Sequence, residues 1–297
     1  MSGERPVGAT EAGLSAPASR HYLPANMPEL PEVETTVRGL APLLDGQRIA
    51  RVLTRRPDLR YPFPADLGQR LTGATVTGLG RRAKYGLLHT DRDDTLIFHL
   101  GMSGRWRVDP TEPDKHDHLL IETGMGRLVA LNDPRRFGFV ELVRTGELAA
   151  YPPFAVMGPE PLEETLSARH LLDAFQGRSA PVKALLLDQR IVAGLGNIYV
   201  CEALHMARIA PDRPGGRISL PRLERLVITI REVLEAAIAA GGSTIRDYAR
   251  PDGELGYFAR QWRVYGREGE RCGCGTAVRR RADGGHSTFW CPVCQRG

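Results

Sequence analysis

Between residues 48 and 144 the chain carries eight short β-type runs, and beyond residue 150 that patterning gives way to helical spacing. The runs read "RIARVLT", "GATVTGLG", "YGLLHT", "TLIFHLGM", "GRWRVD", "HLLIET", "RLVALND" and "GFVELVR", broken by Gly, Pro and Asp. Many short strands with such punctuation argue for a sandwich or barrel. One helix precedes them: "PEVETTVRGLAPLL" has proline in its first turn, early acids, and Val33, Val37, Leu40 and Leu44 along one face. "YPPFAVMGPEPLEE" (151–164) is a proline-rich crossing into a helical stretch. There "SARHLLDAF" has a serine N-cap candidate and "PVKALLLDQ" opens on proline. "SLPRLERLVITIREVLEAAIAAGG" sets Leu223, Val227, Ile230, Leu234 and Ile238 at helical spacing, with glycines to close it. There is no internal repeat.

At 297 residues the chain is long enough for more than one domain. No apolar run approaches the ~20 residues needed to span a membrane. Residues 1–26 have no apolar signal region, and their Ala/Gly/Ser/Pro composition reads as a disordered tail behind an upstream start that the cell does not use. Four of the five cysteines fall in the last 26 residues, which suits a metal site rather than a disulfide framework and a reducing, cytoplasmic setting. Cys201 reads as a small buried apolar residue.

Net charge is +5, and residues 259–297 hold eight arginines against Glu268, Glu270 and Asp283, so that segment carries the whole excess. A concentrated basic end suits phosphate contact; a solvated arginine surface is the competing reading. Only Lys84, Lys115 and Lys183 are lysines. Where arginine is used so widely, each lysine is a candidate for chemistry that needs an amine able to lose its proton.

Cys272-x-Cys274, then Cys291-x-x-Cys294, can close a tetrahedral zinc site around a segment too small for its own core. The first pair is one residue shorter than the usual knuckle, and four free thiols remain the alternative. "AVRRRADGGHSTFWC" suggests a β-hairpin between the pairs. In "IVAGLGNIYVCEALHMA" one helix stops and another starts around Gly194, Gly196 and Asn197, where free N–H groups can hold a phosphate. "HLGMSGRW" and "NDPRRFGF" place Met102, Arg135 and Phe137 beside glycines in strand-connecting loops. Core packing is the default for Met102 and Phe137; the functional alternative is that they act with Arg135 as wedges in a base stack. "DKHDH" has two histidines two apart and no further ligand, which does not make a metal site.

Taken in order, "MPELPEVETT", "RRAKYGLLH", "HLGMSGRWRV", "KHDH", "NDPRRFG", "GPEPL", "PVKALLLDQ", "VAGLGNIYVCEAL", "GGSTIRDY", "VYGREGE" and the terminal cysteines resemble the bacterial formamidopyrimidine-DNA glycosylase family over residues 27–297. The resemblance implies an α+β multidomain fold. An N-terminal β-sandwich with a flanking helix would cover 27–150. A helical helix–two-turns–helix domain would cover 151–258, its loop over 241–258 closing on an extruded base. A C-terminal β-hairpin zinc finger would cover 259–297, with Cys272, Cys274, Cys291 and Cys294 on one structural Zn2+. It implies a monomeric, nucleoid-associated base-excision repair enzyme, a DNA glycosylase and lyase. Its substrate is duplex DNA bearing 8-oxoguanine, formamidopyrimidines or abasic sites.

The resemblance also assigns roles. The nucleophile is the amine of Pro28, and Glu29 is the general acid at the sugar ring oxygen. Glu32, one helical turn on, positions the amine. Lys84 donates a proton in β-elimination. Lys183 and Asn197 match phosphate or active-site contacts, and His116, Arg135 and Arg178 match DNA contacts. Met102, Arg135 and Phe137 fill the gap left by the flipped nucleotide. An α-amine has a pKa near ~8 against ~10.4 for lysine, so Met27 is the expected start; with residues 1–26 retained, Pro28 nitrogen is an amide. The family's finger arginine, five residues before the third cysteine and tied to δ-elimination, is His286 here, which lacks the fixed charge and forked donors of arginine. Leu30 after the first acid favours the oxidised-purine branch over an endonuclease VIII-like enzyme acting on oxidised pyrimidines. A catalytically silent damage binder is the alternative if Pro28 is acylated.

Overall fold

The computed structural model describes residues 28–243 and 258–296. The expected tail over 1–26, the start at Met27 and most of the expected lid over 241–258 lie outside the described residues. Helix α1 (Leu30–Leu44) has Pro31 in its first turn and buries Val33, Val37, Leu40 and Leu44. Eight strands follow: β1 (Ile49–Thr54), β2 (Val76–Arg82), β3 (Tyr85–Thr90), β4 (Asp94–His99), β5 (Arg105–Val108), β6 (Asp117–Thr123), β7 (Leu128–Asn132) and β8 (Phe139–Arg144). Each lies on one of the eight sequence runs. They form two four-stranded antiparallel sheets, ordered β1-β6-β7-β5 and β2-β3-β4-β8.

The two sheets and α1 share one core. Leu88 and Phe98 enter it from one sheet, Trp106, Ile121 and Leu131 from the other, and Leu40 and Leu44 from the helix. The Phe98 and Trp106 rings meet edge-on at 5.4 Å. Burying a side chain of this size contributes about 1.5–3 kcal/mol, so the expected β-sandwich with its flanking helix is well supplied. Sequence periodicity missed two short helices, α2 (Leu67–Leu71) and α3 (Pro152–Ala155), the latter inside the proline-rich crossing. A single turn anchored by Leu67 and Leu71 is too brief to show a 3.6-residue period.

The second half contains α4 (Ala168–Phe175), α5 (Val182–Leu187), α6 (Asn197–Met206) and α7 (Leu220–Ala239). Ser167 caps α4 by accepting from the His170 N–H at 3.1 Å. Leu223, Val227, Ile230 and Leu234 are buried on α7, and Gly241 and Gly242, both at positive φ, end it by donating to the Ile238 and Ala237 carbonyls. Last comes the expected hairpin, β9 (Arg279–Asp283) and β10 (His286–Trp290), turned by Gly284 and Gly285 at positive φ.

Val278, Phe289, Cys272 and Cys291 of this finger pack into the same core as α4–α7. Leu30 joins that core too, whereas Val33 onward belongs to the sandwich. The first turn of α1 therefore stands where the two halves meet, and Pro28 and Glu29 precede it directly.

Candidate active site and metal centre

Pro28 is buried, and Glu29 and Glu32 are 3% and 0% exposed. Glu29 sends its carboxyl group to the N-terminus of α6, where it accepts from the N–H groups of Ile198 at 2.9 Å and Tyr199 at 3.5 Å. The sequence suggested that these donors hold a phosphate; the structure gives them to a carboxylate of this same chain. Gly196 makes the approach feasible, because a Cβ there would collide with the Glu29 carboxyl group. Burial pushes the Glu29 carboxyl up to about 7, with Lys84 pulling it down and Glu32 pushing it further up. Glu32 accepts from Glu29 N at 2.9 Å, from the Tyr199 hydroxyl at 2.6 Å and from Ser243 N at 2.8 Å. Burial raises its pKa as well.

Lys84 occupies the two-residue turn between β2 and β3, with Ala83 at φ +52° where such turns favour glycine. Glu160 braces that turn: it accepts from Ala83 N at 2.6 Å, from Arg81 at 2.7 Å and from Arg82 at 3.1 Å. Lys84 is 5% exposed, and burial holds its pKa below the usual lysine range against the opposing fields of Glu29 and Glu32. Lys84 also lines a cavity of about 600 Å³ together with Tyr61, Tyr85, His99, Phe139 and Tyr151.

The finger reaches the same place. Lys183 is 3% exposed, and its Nζ donates to Thr288 Oγ1 at 2.7 Å and to the Ser287 carbonyl at 3.3 Å. Asn197 Nδ2 donates to that same carbonyl at 2.9 Å, leaving its Oδ1 buried without a partner among the described residues. Lys183 and Asn197 thus stand at the junction of helices and finger. His286 opens β10; burial lowers its pKa, and Lys183 and Lys84 lower it further, which favours the neutral imidazole.

Met102, Arg135 and Phe137 lie on two loops whose backbones touch, since a Cβ on Gly101 would collide with the Phe137–Gly138 peptide. Met102 is 9% exposed. Phe137 is 42% exposed, with the Arg135 guanidinium 4.9 Å from its ring centre. His116 is half-buried with its ring 6.1 Å from that of His118, and Arg178 is exposed in the α4–α5 loop. His118 Nε2 is paired with the Asp133 carbonyl at 3.0 Å.

Among the described residues, Cys272, Cys274, Cys291 and Cys294 form a cluster able to hold a metal ion, their sulfurs all within 4.8 Å of one another. Metal–sulfur bonds near ~2.3 Å put tetrahedral sulfurs about 3.8 Å apart. The Cys272–Cys294 and Cys274–Cys291 separations are 3.8 and 3.5 Å, so the shorter first pair still meets the geometry. His205 Nε2 lies 3.3 Å from Cys272 Sγ, in place to donate to a thiolate.

Three contributors escaped the sequence reading. Glu160 sits in the quoted "GPEPL", and Tyr199 and Glu202 in "GLGNIYVCEAL", but no role attached to them. Glu202 accepts from the N–H groups of Arg263, Val264 and Tyr265 at 2.8–2.9 Å, tying α6 to the approach to the finger. An acid amid the apolar residues of α6 is the signal that marks it.

The family model for the formamidopyrimidine-DNA glycosylase N-terminal domain matches residues 27–140, and that for the H2TH domain of the same enzymes matches residues 157–249. Formamidopyrimidine-DNA glycosylases of Rhizorhabdus wittichii and Novosphingobium aromaticivorans are 71% and 69% identical over 270 residues, 91% of this chain and the whole of each relative. The crystal structure of the Thermus thermophilus MutM (Fpg) protein is similar with a TM-score of 0.81 at 40% identity, over 90% of this chain and 98% of that one. The Lactococcus lactis Fpg in complex with abasic-site DNA has a TM-score of 0.84 at 35% identity, over 91% and 100%. With two domain models covering most of its length and relatives this close, the chain belongs to the formamidopyrimidine-DNA glycosylase family.

Proposed function

We propose that this base-excision repair DNA glycosylase removes 8-oxoguanine and formamidopyrimidines from duplex DNA through a covalent adduct on Pro28, then cuts the strand at the abasic site. The observation that carries the reading is the buried Glu29 carboxyl, beside Pro28 and facing Lys84, pushed up to about 7. A group so placed is half protonated near neutral pH, which is what a general acid requires.

The Pro28 amine attacks C1′ of the extruded nucleotide, the base departs with the electrons of the glycosidic bond, and the proton released by the amine goes to the departing base. Glu29 gives its proton to the ring oxygen as the C1′–O bond opens, leaving a cationic iminium on Pro28. Loss of a C2′ proton then expels the 3′-phosphate, with Lys84 as the proton carrier. Arg135 and Phe137 hold the gap in the base stack together with Met102, and His116, Arg178, Lys183 and Asn197 serve the phosphates around it. The protein acts as a monomer in the bacterial cytoplasm, at the nucleoid. Incubation with 8-oxoguanine duplex and borohydride tests the reading: excision with a trapped adduct is expected, and binding without either would favour a silent damage binder.

Zinc is the proposed occupant of the four thiolates, and when bound it closes the finger. Chelation is expected to release about one metal per chain, lower the melting temperature, and weaken DNA binding by at least ~10-fold through loss of phosphate contacts. Mass spectrometry and a binding titration at fixed salt check both.

His286 limits the second elimination. A neutral imidazole contributes no fixed charge to the phosphate, and a charged hydrogen bond is worth about 1.5–3 kcal/mol. His286→Arg should therefore raise δ-elimination product and DNA affinity by roughly 10-fold or more. Unchanged ratios of the two cleavage products would refute this role.

A further inference from the structure

Tyr199 bonds to both acids of the site. Its backbone N–H points at Glu29, 3.5 Å away, and its hydroxyl donates to Glu32 at 2.6 Å. The hydroxyl also lies 3.2 Å from Ser243 Oγ, and the ring is 0% exposed, packed 5.8 Å from that of Phe258. So buried a side chain cannot touch DNA.

Two carboxyl groups one helical turn apart, away from water, with Lys84 as the cation facing them both, do not favour two full negative charges. Such a pair favours keeping one proton between its two members, and where it sits matters because Glu29 is the acid assigned to the sugar ring oxygen. Donors decide the sharing, since a hydrogen bond to a carboxylate favours the ionised form. Glu32 receives a short hydroxyl bond and two backbone N–H bonds; Glu29 receives two N–H bonds, one of them long. Among the described residues, the groups facing the pair include Lys84 from the β2–β3 turn, Lys183 from α5, Tyr199 and Cys201 from α6, Tyr265 ahead of the finger, Ser243 beyond α7 and, in a chain that begins there, the Pro28 amine.

We propose that Tyr199 is a positioning residue that decides which acid keeps the proton: by donating to Glu32 it holds the charge there and leaves Glu29 protonated for the sugar ring oxygen. This rests on the glycosylase reading above. Without the hydroxyl the preference shrinks, Glu32 takes a larger share of the proton, and Glu29 ionises at lower pH.

The test is single-turnover excision of 8-oxoguanine from duplex by chains beginning at Pro28, followed from about pH 5.5 to about pH 9. Tyr199→Phe keeps the ring and removes the donor. Its alkaline limb should move down by about one pH unit, with excision at slightly alkaline pH about 10-fold slower. Affinity for a non-cleavable abasic-analogue duplex should stay within ~3-fold, which a merely structural role would not predict. Site-specific 3-fluorotyrosine at 199, a stronger donor of the same shape, should move the limb the other way and stands in if the phenylalanine variant fails to fold. On a Glu32→Gln background Tyr199→Phe should shift nothing further. Superimposable pH profiles, or a shift that persists without the Glu32 carboxylate, would overturn the proposal. If the unsubstituted chain excises no 8-oxoguanine at any pH, the glycosylase reading itself falls and the proposal with it.

Discussion

A chain that begins at Pro28 should be trapped on 8-oxoguanine duplex by borohydride, and the same chain with residues 1–27 ahead of it should give no trapped species at Pro28. This is the largest effect expected. An amide nitrogen shares its lone pair with the neighbouring carbonyl and, in proline, carries no hydrogen, so it cannot form an iminium. A free α-amine is unprotonated far more often at pH 7 than a lysine. Residual trapping in the longer chain is expected on Lys84, a buried amine of depressed pKa that faces Glu29. Peptide mapping of the adduct separates the two sites, and an adduct found on Lys84 in both chains alike would sink the assignment.

Glu29→Gln should slow excision by roughly 10²- to 10⁴-fold, the usual contribution of a positioned general acid. The pH dependence has a definite sign. Glu29 is pushed up to about 7, so the unsubstituted enzyme should lose excision as pH rises through 7, and the glutamine variant should lack that limb. Stability follows the same titration. A carboxyl whose folded pKa exceeds its unfolded value of 4.5 stabilises fully below 4.5, and that stabilisation is lost as pH rises through about 7. Glu29→Gln should thus gain melting temperature over the parent at pH 8 and lose that advantage by pH 4.5. A melting series across that range, run beside the rate profile, checks both.

How much was legible beforehand depended on whether the signal was local. All eight strands of the sandwich and the long α7 announced themselves, because periods of two and 3.6 residues and the glycines between them are written in consecutive positions. The four cysteines were equally plain, since their spacing is itself the signal. The two buried lysines stood out by rarity in an arginine-rich chain. What stayed hidden were contacts across the fold. No spacing tells that Gly196 makes room for Glu29, far earlier in the chain, or that Glu160 braces the turn carrying Lys84. The N–H groups opening α6 looked like a phosphate site, but the oxygen they meet is that of this chain's own Glu29 carboxyl group. Tyr199 carried no mark, because an aromatic residue in an apolar helix looks like packing until its hydroxyl is seen to have a partner.

Leu30 is anchored in one core and Val33 in the other, three positions apart. A rotation of the sandwich relative to the helical half about that turn has almost no lever arm at Pro28. Arg135 and Arg178, out on their loops, would sweep through arcs that grow with their distance from the pivot. Such a rotation would leave the proposed nucleophile in place while the DNA-contacting loops moved, so duplexes of differing width or bend could be gripped without spoiling its aim.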